Sequence, residues 1–144
     1  MISFMEFLNE AANKVQPKNK EELKRIIRDT IEKKGTNCDL NFIDTSLITN
    51  MSGLFAYSDF NGDISKWNVS KVVVMEEMFI HSKFNGDISK WNVSKVTHMG
   101  AMFWDSKFDK DISRWDVSKV RYHTDMFGRC PLENKPEFQP KFSD

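Results

Sequence analysis

The sequence predicts an α+β repeat solenoid in which each 24-residue coil carries one short strand and one short helical turn, capped by N-terminal helices. Three observations predict it. The segment NGDISKWNVSKV stands at 61–72 and again, unchanged, at 85–96. A third copy, DKDISRWDVSKV, runs over 109–120 and sets the period at 24. A fourth, weaker copy lies upstream, where Asp39 and Leu40 answer Asp63 and Ile64, and Ile48, Met51 and Phe55 answer Val72, Met75 and Phe79. Self-similarity at a fixed period of this length is the signature of stacked-repeat architectures.

The apolar residues fall into columns at that period. They are Leu40/Ile64/Ile88/Ile112, Ile43/Trp67/Trp91/Trp115, Ile48/Val72/Val96/Val120, Met51/Met75/Met99, Leu54/Met78/Met102/Met126, Phe55/Phe79/Phe103/Phe127 and Phe60/Phe84/Phe108/Leu132. One copy cannot bury its own apolar face, whereas stacked copies bury a continuous core. The strand is expected near DISKW, rich in Ile and Trp, and the helical turn near MxxMF, where apolar residues stand three and four apart. The Met, Trp and Phe columns read as plain core, with Trp67, Trp91 and Trp115 as one buried stack.

Open ends of such a stack expose apolar surface and need caps. Residues 1–36 suit that role, 37–132 hold four coils, and 133–144 form a C-terminal cap or tail. Ser3 and Glu6 read as a capping box opening a helix that ends before Pro17. Asn19 followed by Glu22 opens a second helix, with Leu23, Ile26, Ile27 and Ile31 on one face and Gly35 closing it. The C-terminal stretch from Pro131 carries three prolines and no repeat, and is expected to finish the last coil as an extended lid through Phe138 or Phe142.

Composition narrows the function classes. In 144 residues, 21 basic and 21 acidic side chains cancel, so no global field favours nucleic acid or an anionic membrane. No apolar run approaches the roughly 18 residues of a spanning helix. Glu6 and Glu10 interrupt the N-terminus where a signal peptide needs an unbroken apolar stretch. A cytoplasmic monomer is expected. Cys38 and Cys130 do not make a disulfide framework in a chain of this size and are expected as free thiols.

The columns resemble the BspA-like surface-protein repeats of bacteria, relatives of leucine-rich repeats. The resemblance rests on F-N-G-D-I-S-x-W-N-V-S-x-V-x-x-M-x-x-M-F, read from Phe84 to Phe103 and in variants on either side, and covers roughly 37–132. It implies a coil-stacking fold and a surface or secreted protein that binds host or environmental ligands.

Catalysis is not expected. His81, His98 and His123 occupy different repeat positions, and although His98 and His123 fall at adjacent positions on successive coils, no cysteine or carboxylate stands at familiar metal-ligand spacing beside them. The Asp39/Asp63/Asp87/Asp111 column would attract calcium if its carboxylates faced one another. Turn chemistry is the favoured reading, because Asn-Gly-Asp precedes the strand position and aspartates there bond nearby amides. The Ser65/Ser89/Ser113 and Ser70/Ser94/Ser118 columns have no base in register. Neither a phosphate loop nor a dinucleotide fingerprint is present, so neither cofactor nor metal is expected.

Positions that differ between copies are free of the coil's own demands. They flank MxxMF: Val73/Thr97/Arg121, Val74/His98/Tyr122, Glu76/Gly100/Thr124, Glu77/Ala101/Asp125, Ile80/Trp104/Gly128 and His81/Asp105/Arg129. The expected partner surface comprises Trp104 as anchor with Ile80, His98, Tyr122, Val73, Val74, Arg121, His81 and Asp105, since exposed apolar and aromatic side chains mark interaction sites. The position of Trp104 holds Ala56, Ile80 and Gly128 elsewhere and is expected to tolerate almost any side chain. The function expected is a non-enzymatic protein-binding module that occupies a partner's surface, for instance a small inhibitor carried by a phage or mobile element against a host defence complex. The alternative is an adhesin-type surface repeat protein.

Overall fold

The computed structural model describes residues 14–143. Among the described residues the one α-helix, α1, spans Lys20–Lys34. Asn19 Oδ1 accepts the Glu22 N–H at 2.9 Å, and Glu22 Oε2 reaches back to the Lys18 N–H at 2.8 Å. The first bond satisfies an amide that a helix start leaves without a partner, and the second ties the residue before the cap to the same turn. Gly35, at φ 90°, ends the helix and donates its N–H to the Ile31 carbonyl at 2.7 Å. Leu23, Ile27 and Thr30 face the core, and the Thr30 hydroxyl is satisfied by the Ile26 carbonyl at 2.7 Å.

A strand and a helical turn in every coil are not found, which corrects the α+β expectation. Among the described residues the only ladder elements are isolated parallel bridges, Val15 with Ile43, Asp39 with Asp63, and Asn50, Val74, His98 and Tyr122 in succession. DISKW is a turn because Asp63 Oδ1 takes the Ser65 N–H at 2.9 Å and the Trp67 N–H closes on the Ile64 carbonyl at 3.2 Å. A side chain that binds its own backbone two residues on pulls the chain out of extension. MxxMF fails as a helix because Glu77, Ala101 and Asp125, and four residues later His81, Asp105 and Arg129, all stand at positive φ between 51° and 57°. Helical hydrogen bonding cannot pass through a left-handed residue.

Backbone groups instead alternate between local and inter-coil partners. Met78, Ile80 and Ser82 N–H bond three residues back, to Met75, Glu77 and Phe79. The intervening N–H groups of Met75, Glu77, Phe79 and His81 reach the carbonyls of His98, Gly100, Met102 and Trp104 on the next coil. The same four bonds join the first coil to the second (residues 51, 53, 55 and 57 to 74, 76, 78 and 80) and the third to the fourth (99, 101, 103 and 105 to 122, 124, 126 and 128). All point one way along the stack, with N–H toward the C-terminal neighbour. Between successive coils the backbone of this turn is therefore paired without sheet or helix.

Side chains repeat the stacking. Trp67, Trp91 and Trp115 are buried and near-parallel, with centroids 6.4 and 6.5 Å apart. Each indole Nε1–H donates to a carbonyl one coil earlier, Leu40, Ile64 and Ile88, at 2.9, 3.1 and 3.0 Å. Phe55, Phe79, Phe103 and Phe127 form a second stack at 5.6, 5.5 and 6.0 Å. Coils approach so closely at 62 that a Cβ on Gly62 would lie 1.9 Å from the Cys38 carbonyl oxygen.

At the N-terminal end Val15 pairs with Phe42 and Asp44 in extended conformation, so no helix reaches Pro17; the rest of the helix expected from Ser3 lies outside the described residues. At the other end two 3-10 turns, Pro131–Asn134 and Pro136–Phe138, lead the tail back over the last coil. The Phe138 carbonyl takes the Ile112 N–H at 3.0 Å, and Phe142 stacks on His123 at 3.8 Å. Cys38 and Cys130 are buried and unbridged. No helix among the described residues is long and apolar enough to cross a membrane.

Candidate interaction surface

Two strips of coil-to-coil variation flank the MxxMF turn. The first follows the bridge column. His98 lies between Val74 and Tyr122 in the ladder, its ring packs on Tyr122 at 4.6 Å, and its Nδ1 is 2.7 Å from Thr97 Oγ1. Tyr122 is 56% and Val73 38% exposed, Val74 is half-buried, and Arg121 is exposed.

The second strip is more closely knit. His81 Nδ1 lies 2.7 Å from Asp105 Oδ2, and Arg129 Nε lies 3.7 Å from Asp105 Oδ1. Tyr57, 72% exposed, stacks on the His81 ring at 4.7 Å, while Trp104 meets that ring in a T-shaped contact at 4.9 Å. The Arg129 guanidinium covers Trp104 at 5.2 Å, within cation–π range. Tyr57, His81, Asp105 and Arg129 share one repeat position, and all four stand in the left-handed region (φ 52° to 59°). Ile80, half-buried, precedes His81 in the same turn.

Trp104 is half-buried rather than projecting, which corrects the idea that its position accepts anything. A Cβ on Gly128 would lie 2.7 and 2.9 Å from Trp104 Cδ1 and Nε1, so the indole lies where only glycine leaves room on the next coil. Tyr57 and Arg129 were not among the expected contact residues. The signal for them is in the sequence: four unlike side chains at 57, 81, 105 and 129, one period apart in a chain that otherwise repeats itself.

The aspartate column does turn chemistry. Asp39, Asp63, Asp87 and Asp111 Oδ1 each accept the N–H two residues on, at 2.7 to 2.9 Å. Hydrogen bonds hold Asp63 and Asp87 below the ordinary carboxylate range, from Asn41 and then Ser65 for the former and from the Ser89 hydroxyl and amide for the latter. No cluster of three or more His, Cys, Asp or Glu suited to a metal occurs among the described residues. His98 and His123 do not converge on a site, since one ring packs on Tyr122 and the other on Phe142.

These features define a repeat protein with coils bonded one period apart and a side-chain network along one column. The chain belongs to the family described as Mycoplasma protein of unknown function, DUF285, which matches residues 21–138. Comparison with curated proteins and with solved structures returns no match.

Proposed function

We propose that the protein is a non-enzymatic binding module for another protein, and that Tyr57, His81, Trp104, Asp105 and Arg129 carry the contact. The observation behind this reading is the left-handed column. A non-glycine residue there costs about 1 kcal/mol or more. The coil imposes the conformation at 57, 81, 105 and 129 whatever the side chain, so glycine or asparagine would suit the fold better. Tyrosine, histidine, aspartate and arginine stand there instead, linked to one another and ending on an exposed ring. Tyr, Trp and Arg are the residues that dominate protein–protein hot spots. Val73, Val74, His98, Arg121 and Tyr122 extend the surface across the turn.

A small stoichiometric inhibitor or adaptor, such as one carried by a phage or mobile element, is one form this takes. The BspA-like motif supports a second form, a surface repeat protein that binds host or environmental ligands. Cell fractionation separates the two.

The experiment compares capture by the tagged full chain with capture by Tyr57→Gly and Arg129→Gly. A partner held in fixed ratio by wild type, and lost with variants that melt at or above the wild-type temperature, is expected. Full-strength capture by both variants overturns the assigned surface, and no partner in any fraction overturns the binding reading.

A further inference from the structure

Along the MxxMF turns the inter-coil bonds run one way, although neighbouring columns such as Val73, Thr97 and Arg121 donate in the opposite direction, so at this row the stack has a donor end and an acceptor end. Three successive junctions use the same four positions, and each N–H donor finds a carbonyl one coil on. On the last coil the series should continue from residues 123, 125, 127 and 129. Arg129 N–H is taken by Glu133 Oε2 at 3.1 Å. Asp125 and Phe127 N–H have no acceptor among the described residues.

The opposite end mirrors this. The carbonyls that would receive those donors on a preceding coil belong to Ser52 and Leu54. Lys20 Nζ touches the Ser52 carbonyl at 3.2 Å, which leaves one lone pair of that oxygen free, and the Leu54 carbonyl has no donor among the described residues. The capping helix closes on the coil at Lys20 and leaves a groove of about 510 Å³ beside Leu54. Ile27, Ile31, Leu54 and Phe55 form its apolar wall, and of the charged residues on the rim beside it Lys24 and Arg28 outweigh Glu32. Asp125, exposed at the donor end, carries the charge that complements that rim.

We infer that a second copy of this chain docks head to tail, its last coil entering the groove between α1 and the first coil. Asp125 and Phe127 N–H donate to Ser52 and Leu54 carbonyls, as Ala101 and Phe103 donate to Thr124 and Met126 within the chain. Such an interface is heterologous and does not close, so it yields a concentration-dependent series of oligomers rather than a single dimer.

The test uses the full chain. Sedimentation velocity over a rising concentration series is expected to show growing mass. Lys24→Glu with Arg28→Glu should weaken the association at least tenfold, and Asp125→Lys in the added copy should restore it. Register is read separately by mixing Ser52→Cys with Thr124→Cys under oxidation. Equivalent residues of stacked coils lie about one strand spacing, ~4.8 Å, apart, inside the ~7 Å that a disulfide spans. The mixture should give a crosslinked heterodimer that neither variant nor wild type forms alone. A chain that stays monomeric throughout overturns the inference. So do oligomers that crosslink no better than a Lys95→Cys mixture, or that ignore the charge reversal.

Discussion

Trp91 illustrates how much a single side chain carries here. It is sandwiched between Trp67 and Trp115 and bonded through Nε1 to the Ile64 carbonyl, so truncation removes two stacking faces and strands an acceptor. Trp91→Ala should cost roughly 3–5 kcal/mol in chemical denaturation. A loss under ~0.5 kcal/mol, the size of a surface effect, would contradict the stacked core. Gly128 makes a subtler case. Gly128→Ala should cost about 1–3 kcal/mol because its methyl meets the Trp104 ring. Adding Trp104→Ala should recover much of that loss, and strict additivity in the double-mutant cycle would show the two do not touch. Tyr57→Gly runs the other way: relief of the left-handed strain should leave the melting temperature unchanged or raise it.

At the scale of elements the turns replace strands and helices as the unit of structure. Asp39, Asp44, Asp63, Asp87, Asp111 and Asp116 cap the amide two residues on, and Asn50, Asn68 and Asn92 do the same with a neutral oxygen. The charged caps link stability to pH. Asp44, Asp63 and Asp87 have folded pKa values below their unfolded ones, chiefly through hydrogen bonds from Ser46, Asn41 and Ser89 respectively. Their contribution is full above the unfolded pKa and is lost as pH falls through the folded one, so stability should decline from about pH 4 downward. Asp87→Asn, which imitates Asn92, should keep the turn and flatten that decline in urea titrations between pH 5 and 2. An unchanged acid slope would remove Asp87 from the account. Asn19→Ala should cost about 1 kcal/mol through the lost helix cap.

For the whole molecule, accessibility of the two thiols reports on the integrity of the stack. Burial pushes Cys38 and Cys130 above the ordinary thiol range, against nearby amides that pull them down. Both should resist alkylation in the native state at neutral pH, because thiolate is the reactive form and neither sulfur is open to solvent. Mass spectrometry after unfolding without reductant should find both labelled. Rapid labelling of Cys130 alone in native protein would mean that the tail opens independently of the coils.

The period, the columns and the identity of the core are legible in the order of residues alone, because a 24-residue repeat puts like side chains on top of one another however the coil is bent. So is the position of α1, whose cap, apolar face and terminal glycine act within a few residues. What the coil is made of depends on contacts between coils. Short apolar runs suit a strand or a helix equally well, and the choice of neither was made by local Asp and Asn caps together with inter-coil bonds that hold residues such as Glu77 and His81 left-handed. The same bonds placed Tyr57 and Arg129 beside His81 and Asp105 and laid Trp104 over Gly128. Those contacts join residues about one period apart, where a single coil read alone shows nothing to bring them together.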